Sequence, residues 1–348
     1  MQVAVGFGIP YDRPERWKET VDFVVQAERL GVDSVWSAEA WGSDAVTPLG
    51  YLAARTERIK LGSGIVQTGT RTPALLAMTA ATLQLLSGGR FLLGLGTSGP
   101  QVIEGWHGIT FDQPVSRMRE IVEIVRLALT GERVSYQGEI YQLPLIGGEG
   151  KALRLGMSAV TPVPIYLASL GPKSLALTGA VADGWLGTSF MPEHSEVFID
   201  HIRRGAEEAG RSLSDLDLHA GGVVAFADDP ERLLEARRPG IAFTLGAMGS
   251  AKTNFYNQAF QRAGYEELAR RVQSLWLEGK REEAATLIPD EIVLQTNLLG
   301  TDKMVADRIL AYRAAGITTI RIAPDGSSST ERIATLERFM ELISVGIA

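Results

Sequence analysis

Three groups of residues in this chain are of the right type and spacing to do chemistry. The first is Glu39 with Trp41, inside Ser37-Ala-Glu-Ala-Trp-Gly42 just past a short apolar run. A carboxylate there can relay a proton and an indole can wall off a pocket; a helix-capping glutamate beside a packed indole is the competing reading. The second is His107 in Glu104-Gly-Trp-His107, the one histidine of four that falls in a predicted mouth loop, with Trp106 beside it. His194 reads as a helix start, His201 as a surface helix position and His219 as part of a strand. With no H-x-H or HExxH spacing, no metal site is expected. The third group is backbone rather than side chain. Gly94-Leu-Gly-Thr-Ser-Gly99 and Ala168-Ser-Leu-Gly-Pro-Lys-Ser174 both close apolar runs with small residues. Turns of that kind aim N–H groups at an anionic ligand. Pro172 suits a first helical turn, and Lys173 adds a cation. A plain glycine turn and an ordinary helix start are the alternatives.

Gly94–Gly99 also matches G-x-G-x-x-G, the dinucleotide fingerprint. That fingerprint should open the helix of a first βα unit and precede an acidic residue by about 20 positions. Here the string follows a fourth predicted strand, Pro100 comes immediately after it, and 116–129 is helical. Nicotinamide dinucleotide binding is therefore not expected. Gly62-Ser63-Gly64 before Ile65 is unusual in a buried strand, where glycine marks a bulge, a close approach of ligand to backbone, or a small-residue packing site. Neither a nucleophile elbow nor a P-loop lysine motif occurs.

Elements that could position these groups alternate along the chain. Amphipathic segments end at a glycine and lead into buried strands: 20–30 before Gly31 and 33–36, and 305–315 before Gly316 and 318–323. Glycine just past a helix takes the left-handed conformation that closes it. Eight strand candidates follow at 3–9, 34–37, 59–66, 91–96, 164–168, 184–187, 218–227 and 318–323. They are continuously apolar, as parallel strands covered on both faces must be. The fold predicted is α/β, a (β/α)₈ TIM barrel, with strand C-terminal ends forming the functional mouth. A chain of 348 residues exceeds the roughly 250 of a plain barrel, so insertions are expected within one domain spanning 1–348. They are a hairpin at about 132–144, turning at Gly138, and a mostly helical stretch at about 237–299 containing Gly246-Ala-Met-Gly-Ser-Ala-Lys252.

Composition narrows the function classes. The chain is 45% hydrophobic and 22% charged, with net charge −7, so nucleic acid and anionic membranes are poor partners. Cysteine is absent, which removes disulfides, thiolate nucleophiles and thiolate-bound metals and suits a reducing compartment. The N-terminal run lacks a basic region and reaches Asp12-Arg13 early, so a first strand is expected there rather than a secretory signal. No apolar run approaches transmembrane length. The expected location is the cytoplasm.

The residues that carry chemistry resemble a known family. Ser34-Val-Trp-Ser-Ala-Glu-Ala40, Arg58-Ile-Lys-Leu-Gly-Ser-Gly-Ile65, Arg71-Thr-Pro-Ala74, Leu86-Ser-Gly-Gly-Arg-Phe91, Gly94–Gly99 and Ala180-Val-Ala-Asp-Gly-Trp185 are similar to the luciferase-like superfamily. The branch they resemble is the coenzyme F420-dependent oxidoreductases. The resemblance implies a barrel with an insertion, usually dimeric, that transfers a hydride between deazaflavin F420 and a small organic substrate. It implies a non-prolyl cis peptide at Gly64–Ile65, with Ser63, Gly64 and Ile65 behind the ring and Gly62 and Gly64 leaving room for it. It also places Thr97, Ser98, Gly99, Ala168, Ser169, Leu170 and Gly171 around the phosphate-bearing tail. Lys173, Arg71 and Lys252 are the cations available to offset that tail. By the same resemblance, relatives that oxidise sugar phosphates or alcohols carry a histidine where this chain has Ala40, and among them a loop glutamate occurs where it has Gly99. Glu39 and His107 are therefore this chain's own candidates for acid–base work, with Trp41 and Trp106 as walls. Two alternatives share the sequence features: an FMN-dependent monooxygenase of the same fold, and a catalytically silent cofactor-binding protein.

Overall fold

Eight parallel strands close into a barrel. They are β1 (Gln2–Phe7), β2 (Ser34–Ser37), β3 (Lys60–Ser63), β4 (Phe91–Gly96), β5 (Ile165–Ala168), β6 (Gly184–Leu186), β7 (Asp217–Ala220) and β8 (Thr319–Pro324). Each pairs with the next, and β8 returns to β1 through Gln2↔Thr319 to Val5↔Ile322. The structure, a computed structural model, describes residues 1–10, 13–157, 162–250 and 252–345. Asp12 and Ala251, which figure in the sequence reading, lie outside these.

A helix follows every barrel strand: Trp17–Arg29, Val46–Ala53, Pro73–Leu86, Pro114–Leu129, Pro172–Val181, Glu196–Glu208, Glu231–Ala247 and Ser329–Ser344. Alternation along the strands divides the core in two. Val3, Val5, Val35, Leu61, Leu93, Leu95, Ile165, Leu167, Trp185, Leu218, Ile320 and Ile322 point outward into the layer between barrel and helices. Ala4, Trp36, Leu92, Tyr166 and Leu186 point inward. This two-faced burial is why the strands read as unbroken apolar runs.

Two of the expected strands are broken, each for a steric reason. The run 59–66 is β3 and a separate short strand, Val66–Gln67, parted by a cis peptide at Gly64–Ile65. Both pieces pair with β4, at Leu61↔Phe91 and at Val66↔Leu95. The run 218–227 stops at Gly221–Gly222. A Cβ on either glycine would lie 2.1 Å from a backbone oxygen, of Arg321 or of Thr296. Beyond them Val223–Phe226 leaves β6 and pairs instead with Leu298–Gly300. That last strand closes the stretch expected as a mostly helical insertion at about 237–299, in which the first helix begins earlier, at Glu231. A three-residue strand is too short to carry a periodicity. Pro239 inside the first helix hides that helix's start.

Family-like motifs turn out to be joints of the scaffold. Arg90 donates to the carbonyls of Ala53 (3.2 Å), Thr56 (2.9 Å), Ile59 (2.7 Å) and Ser87 (2.7 Å), tying the base of β3 to that of β4. Asp183 accepts from the Ile165 N–H at 2.7 Å and from Arg126 at 3.0 Å, holding the start of β5. The hairpin joins Tyr136–Gln137 to Gln142–Leu143. Buried Glu120 fixes it by accepting the N–H groups of Glu139 (2.7 Å), Ile140 (3.1 Å) and Tyr141 (2.8 Å). Among the described residues no helix is long and apolar enough to cross a membrane.

Candidate active site

The barrel interior is filled below and open above, and the change occurs over a single pair of residues per strand. Trp36, Tyr166 and His219 meet edge to face with ring centroids 5.2–5.3 Å apart. Beneath them Asp217 accepts from Tyr166 Oη (2.9 Å), His219 Nε2 (2.7 Å) and Thr319 Oγ1 (2.7 Å). Burial alone raises the Asp217 carboxyl, but the bonds from His219, Thr318 and Thr319 outweigh it and hold it below the usual carboxylate range. Burial pushes the His219 ring down, against the pull of Asp217. This is a closed polar floor.

Two residues nearer the mouth, the inward positions are Gly6, Ala38, Gly64, Gly96, Ala168, Thr188, Gly221 and Ala323, none bulkier than threonine. Every one of them lines a cavity. The larger cavity measures about 1090 Å³, above the roughly 300–1,000 Å³ of ordinary small-molecule sites, and reaches down to Leu186. The smaller measures about 310 Å³ and shares Thr188 with it. Helical segments after Glu231 roof the mouth: Met248, Phe255 and Tyr256 line the larger cavity. Arg262 donates to the Leu170 carbonyl at 2.5 Å and ties that roof to the loop after β5.

Most of the residues expected from sequence meet here. Glu39, Trp41, Gly64, Ile65, Thr97, Ser98, Gly99, Ala168, Ser169, Leu170, Gly171 and Lys173 all line the larger cavity, as does Trp106. β4 and β5 are adjacent, so the loops they feed converge. Each starts a helix at a Gly-Pro step, Gly99-Pro100 and Gly171-Pro172, and neither cap glycine brings a side chain to the free N–H groups. Ser98 is left-handed (φ 57°). Ser169 is pinned, its hydroxyl 2.8 Å from Thr178 Oγ1 and its carbonyl accepting from Trp185 Nε1 at 3.0 Å.

Five expectations are corrected. Ser63 does not line the cavity: its buried hydroxyl donates to the Gly94 carbonyl and accepts from the Gly94 N–H, both at 2.9 Å. His107 is exposed and does not line the cavity, although its neighbour Trp106 does. Arg71 and Lys252 do not line the cavity either. Arg71 is committed to Glu39: one guanidinium nitrogen bonds Oε1 and the other Oε2, the latter at 2.8 Å. Glu39 Oε2 also accepts the Ala45 N–H at 3.1 Å, so both carboxylate oxygens already have partners. Gly62 makes room for protein, not ligand, since a Cβ there would lie 2.3 Å from the Trp36 ring. Gly94 and Gly96 act likewise. Their Cβ atoms would meet the Ser63 carbonyl oxygen at 1.8 Å and the Ile65 side chain at 2.7 Å. The two glycine strings are therefore complementary halves of one joint, which seats the kinked Ser63–Ile65 backbone against β4.

Reasoning from sequence missed Thr188, Tyr256 and Arg321. A signal for Thr188 existed in the small residues two positions beyond the bulky interior ones, but it is readable only once barrel register is known. Among the described residues no three His, Asp or Glu side chains gather as a metal site.

A closed parallel barrel with a roofed mouth cavity at the strand C-termini defines a small-molecule enzyme of the TIM-barrel class. The luciferase-like monooxygenase family model matches residues 3–319, and the chain belongs to that family. It is 38% identical over 323 residues to Rv3520c of Mycobacterium tuberculosis, provisionally named a coenzyme F420-dependent oxidoreductase, covering 90% of this chain and 93% of that one. It is 30% identical over 332 residues to 5,10-methylenetetrahydromethanopterin reductase of Archaeoglobus fulgidus, covering 94% and 97%. The solved coenzyme F420-dependent tetrahydromethanopterin reductase of Methanopyrus kandleri superposes with TM-score 0.79 at 26% identity, covering 97% of each chain.

Proposed function

We propose that this chain is an oxidoreductase that transfers a hydride between coenzyme F420 and a small organic substrate. One observation carries the reading: Gly64 and Ile65, just past the end of β3, face two converging Gly-Pro helix starts across one large cavity. A flat tricyclic ring with an anionic tail needs those two surfaces side by side. The relative at 38% identity and the solved reductase at 26%, each named for coenzyme F420 and each covered over nearly its whole length, support the deazaflavin over FMN. When bound, the deazaflavin supplies the hydride-accepting and hydride-donating carbon.

The protein's share is binding, orientation and exclusion of water. Gly64 and Ile65 support the ring. Thr97, Ser98 and Gly99 hold the tail from one side and Ala168, Ser169, Leu170 and Gly171 from the other. The helix Pro172–Val181 offers its free N–H groups and dipole to the phosphate, with Lys173 beside them. Trp41 and Trp106, 59% and 67% exposed, wall the entrance. Glu39 enters this reading as the anchor of Arg71 and of the turn at Ala45 rather than as a free proton relay. Titrating the purified chain with F420 and separately with FMN, followed by cofactor fluorescence, tests the reading. Saturable F420 binding at least tenfold tighter than FMN is expected; the reverse order would move the chain to the monooxygenases.

The same reading includes a homodimer and a cytoplasmic location. Tyr51, Leu75, Met78, Leu85 and Leu86 form an exposed apolar stripe on the helices Val46–Ala53 and Pro73–Leu86, and an exposed stripe of that kind marks an interface. Sedimentation is expected to give twice the 37.6 kDa chain mass, and Met78→Glu with Leu85→Glu the chain mass alone. A monomeric wild type would remove the dimer. A cysteine-free chain supports the location.

A further inference from the structure

The smaller cavity contains a cation with no counterion among the described residues. Arg321 sits in the middle of β8, between outward Ile320 and Ile322, and so points into the barrel opposite Ala4. Its Nη2 donates to the Gly187 carbonyl at 2.7 Å. A guanidinium has five N–H donors, so most remain to be used. It lines the 310 Å³ cavity, and no other residue lining that cavity is charged. Burial pushes its pKa down, and the group acting against that is the Tyr256 phenol rather than any carboxylate. Tyr256 lines the larger cavity, and Thr188 lines both, so the two cavities adjoin at Thr188, with Arg321 on one side and Tyr256 on the other.

A buried guanidinium without a carboxylate is costly to keep, and an enzyme keeps one where a ligand completes it. A single cation balances a monoanion. A phosphate dianion would be left with net charge, because the polar groups that share the wall, among them Ser189, Thr244 and Asn297, are all neutral. The planar fork also matches a carboxylate two bonds at a time.

We propose that Arg321 is the anchor for a substrate carboxylate, which enters past Thr188 and takes a second hydrogen bond from Tyr256 Oη. The natural substrate is thus a small organic acid whose reacting carbon stays in the larger cavity. This inference rests on the hydride-transfer reading only for which end of the acid reacts.

Calorimetric titration of the full chain, without cofactor, with benzoate, benzamide and phenyl phosphate tests it. Benzoate is expected to bind about 10- to 100-fold tighter than its neutral amide, the range of a charge-assisted hydrogen bond, and tighter than the phosphate. Arg321→Gln should bring acid and amide within about twofold, and Arg321→Lys should keep part of the preference. Should Arg321→Gln fail to fold, the wild-type ratio still decides, together with Thr188→Leu, which narrows the passage and is expected to weaken benzoate. Equal affinity for acid and amide, a preference unchanged in a folded Arg321→Gln, or tighter phosphate binding each overturns the proposal. F420 titration of the same sample separates the two readings: F420 binding without acid selectivity ends only this one, and acid selectivity without F420 binding ends only the cofactor reading.

Discussion

Lys173→Glu is expected to weaken F420 binding by about 10- to 100-fold while leaving the fold unchanged. Of the cations considered near the mouth, Lys173 lines the cavity, Arg71 is paired with Glu39, and Lys252 lies outside the cavity wall. It is exposed, at the second position of a helix whose cap glycine leaves the N–H groups free. Losing an ionic hydrogen bond removes about 1.5–3 kcal/mol, and the introduced carboxylate then repels the tail and competes with it for the positive end of the helix dipole. Lys173→Met should give a smaller loss. The wild-type dissociation constant should rise with salt and the Lys173→Met constant should rise less. Fluorescence titration at two ionic strengths measures all of this. Equal affinity of Lys173→Glu and wild type would take the tail away from this helix. Thermal unfolding should coincide for the variants, because exposed substitutions without partners shift stability by about 0.5 kcal/mol or less.

Gly62→Val is expected to cost at least about 3 kcal/mol of stability. The added Cβ would lie 2.3 Å from the Trp36 ring, and that ring has nowhere to go. Its Nε1 donates to Ser34 Oγ at 3.0 Å, and Tyr166 and His219 press on it edge to face. Gly6→Ala, in the same barrel interior, is the matched comparison: its Cβ meets nothing within 4 Å, and the change should be neutral within about 1 kcal/mol. In urea unfolding, Trp36→Ala combined with Gly62→Val should lose less than the sum of the single variants, because the two side chains contest one space. Additive losses would mean that Gly62 answers to something other than the indole.

The mouth loops were legible because their chemistry is local. Gly94–Gly99 and Ala168–Ser174 each combine a strand end, small residues and a following proline within a few positions, and both line the cavity. The hairpin was legible for the same reason, with Gly138 between two short β runs. Ser63 and His107 were misplaced because a residue's type says what it can do and not which way it faces. One serine is turned onto β4, and one histidine lies a single residue beyond the tryptophan that reaches the site. The broken seventh strand and Leu298–Gly300 escaped because their cause lies in the Arg321 and Thr296 backbone, 100 residues beyond Gly221 and 74 beyond Gly222.

By itself the chain determined an alternating β/α barrel, its family and the phosphate-side loops, all of which follow from periodicity and from short motifs that act through neighbouring atoms. Tertiary structure decided what each glycine is for, that Glu39 is already engaged by Arg71, and that eight small residues on eight strands make one open mouth above a closed polar floor. It alone joined Thr188, Tyr256 and Arg321. Contacts of that kind depend on register and closure, which relate residues distant along the chain and leave no mark on the residues in between.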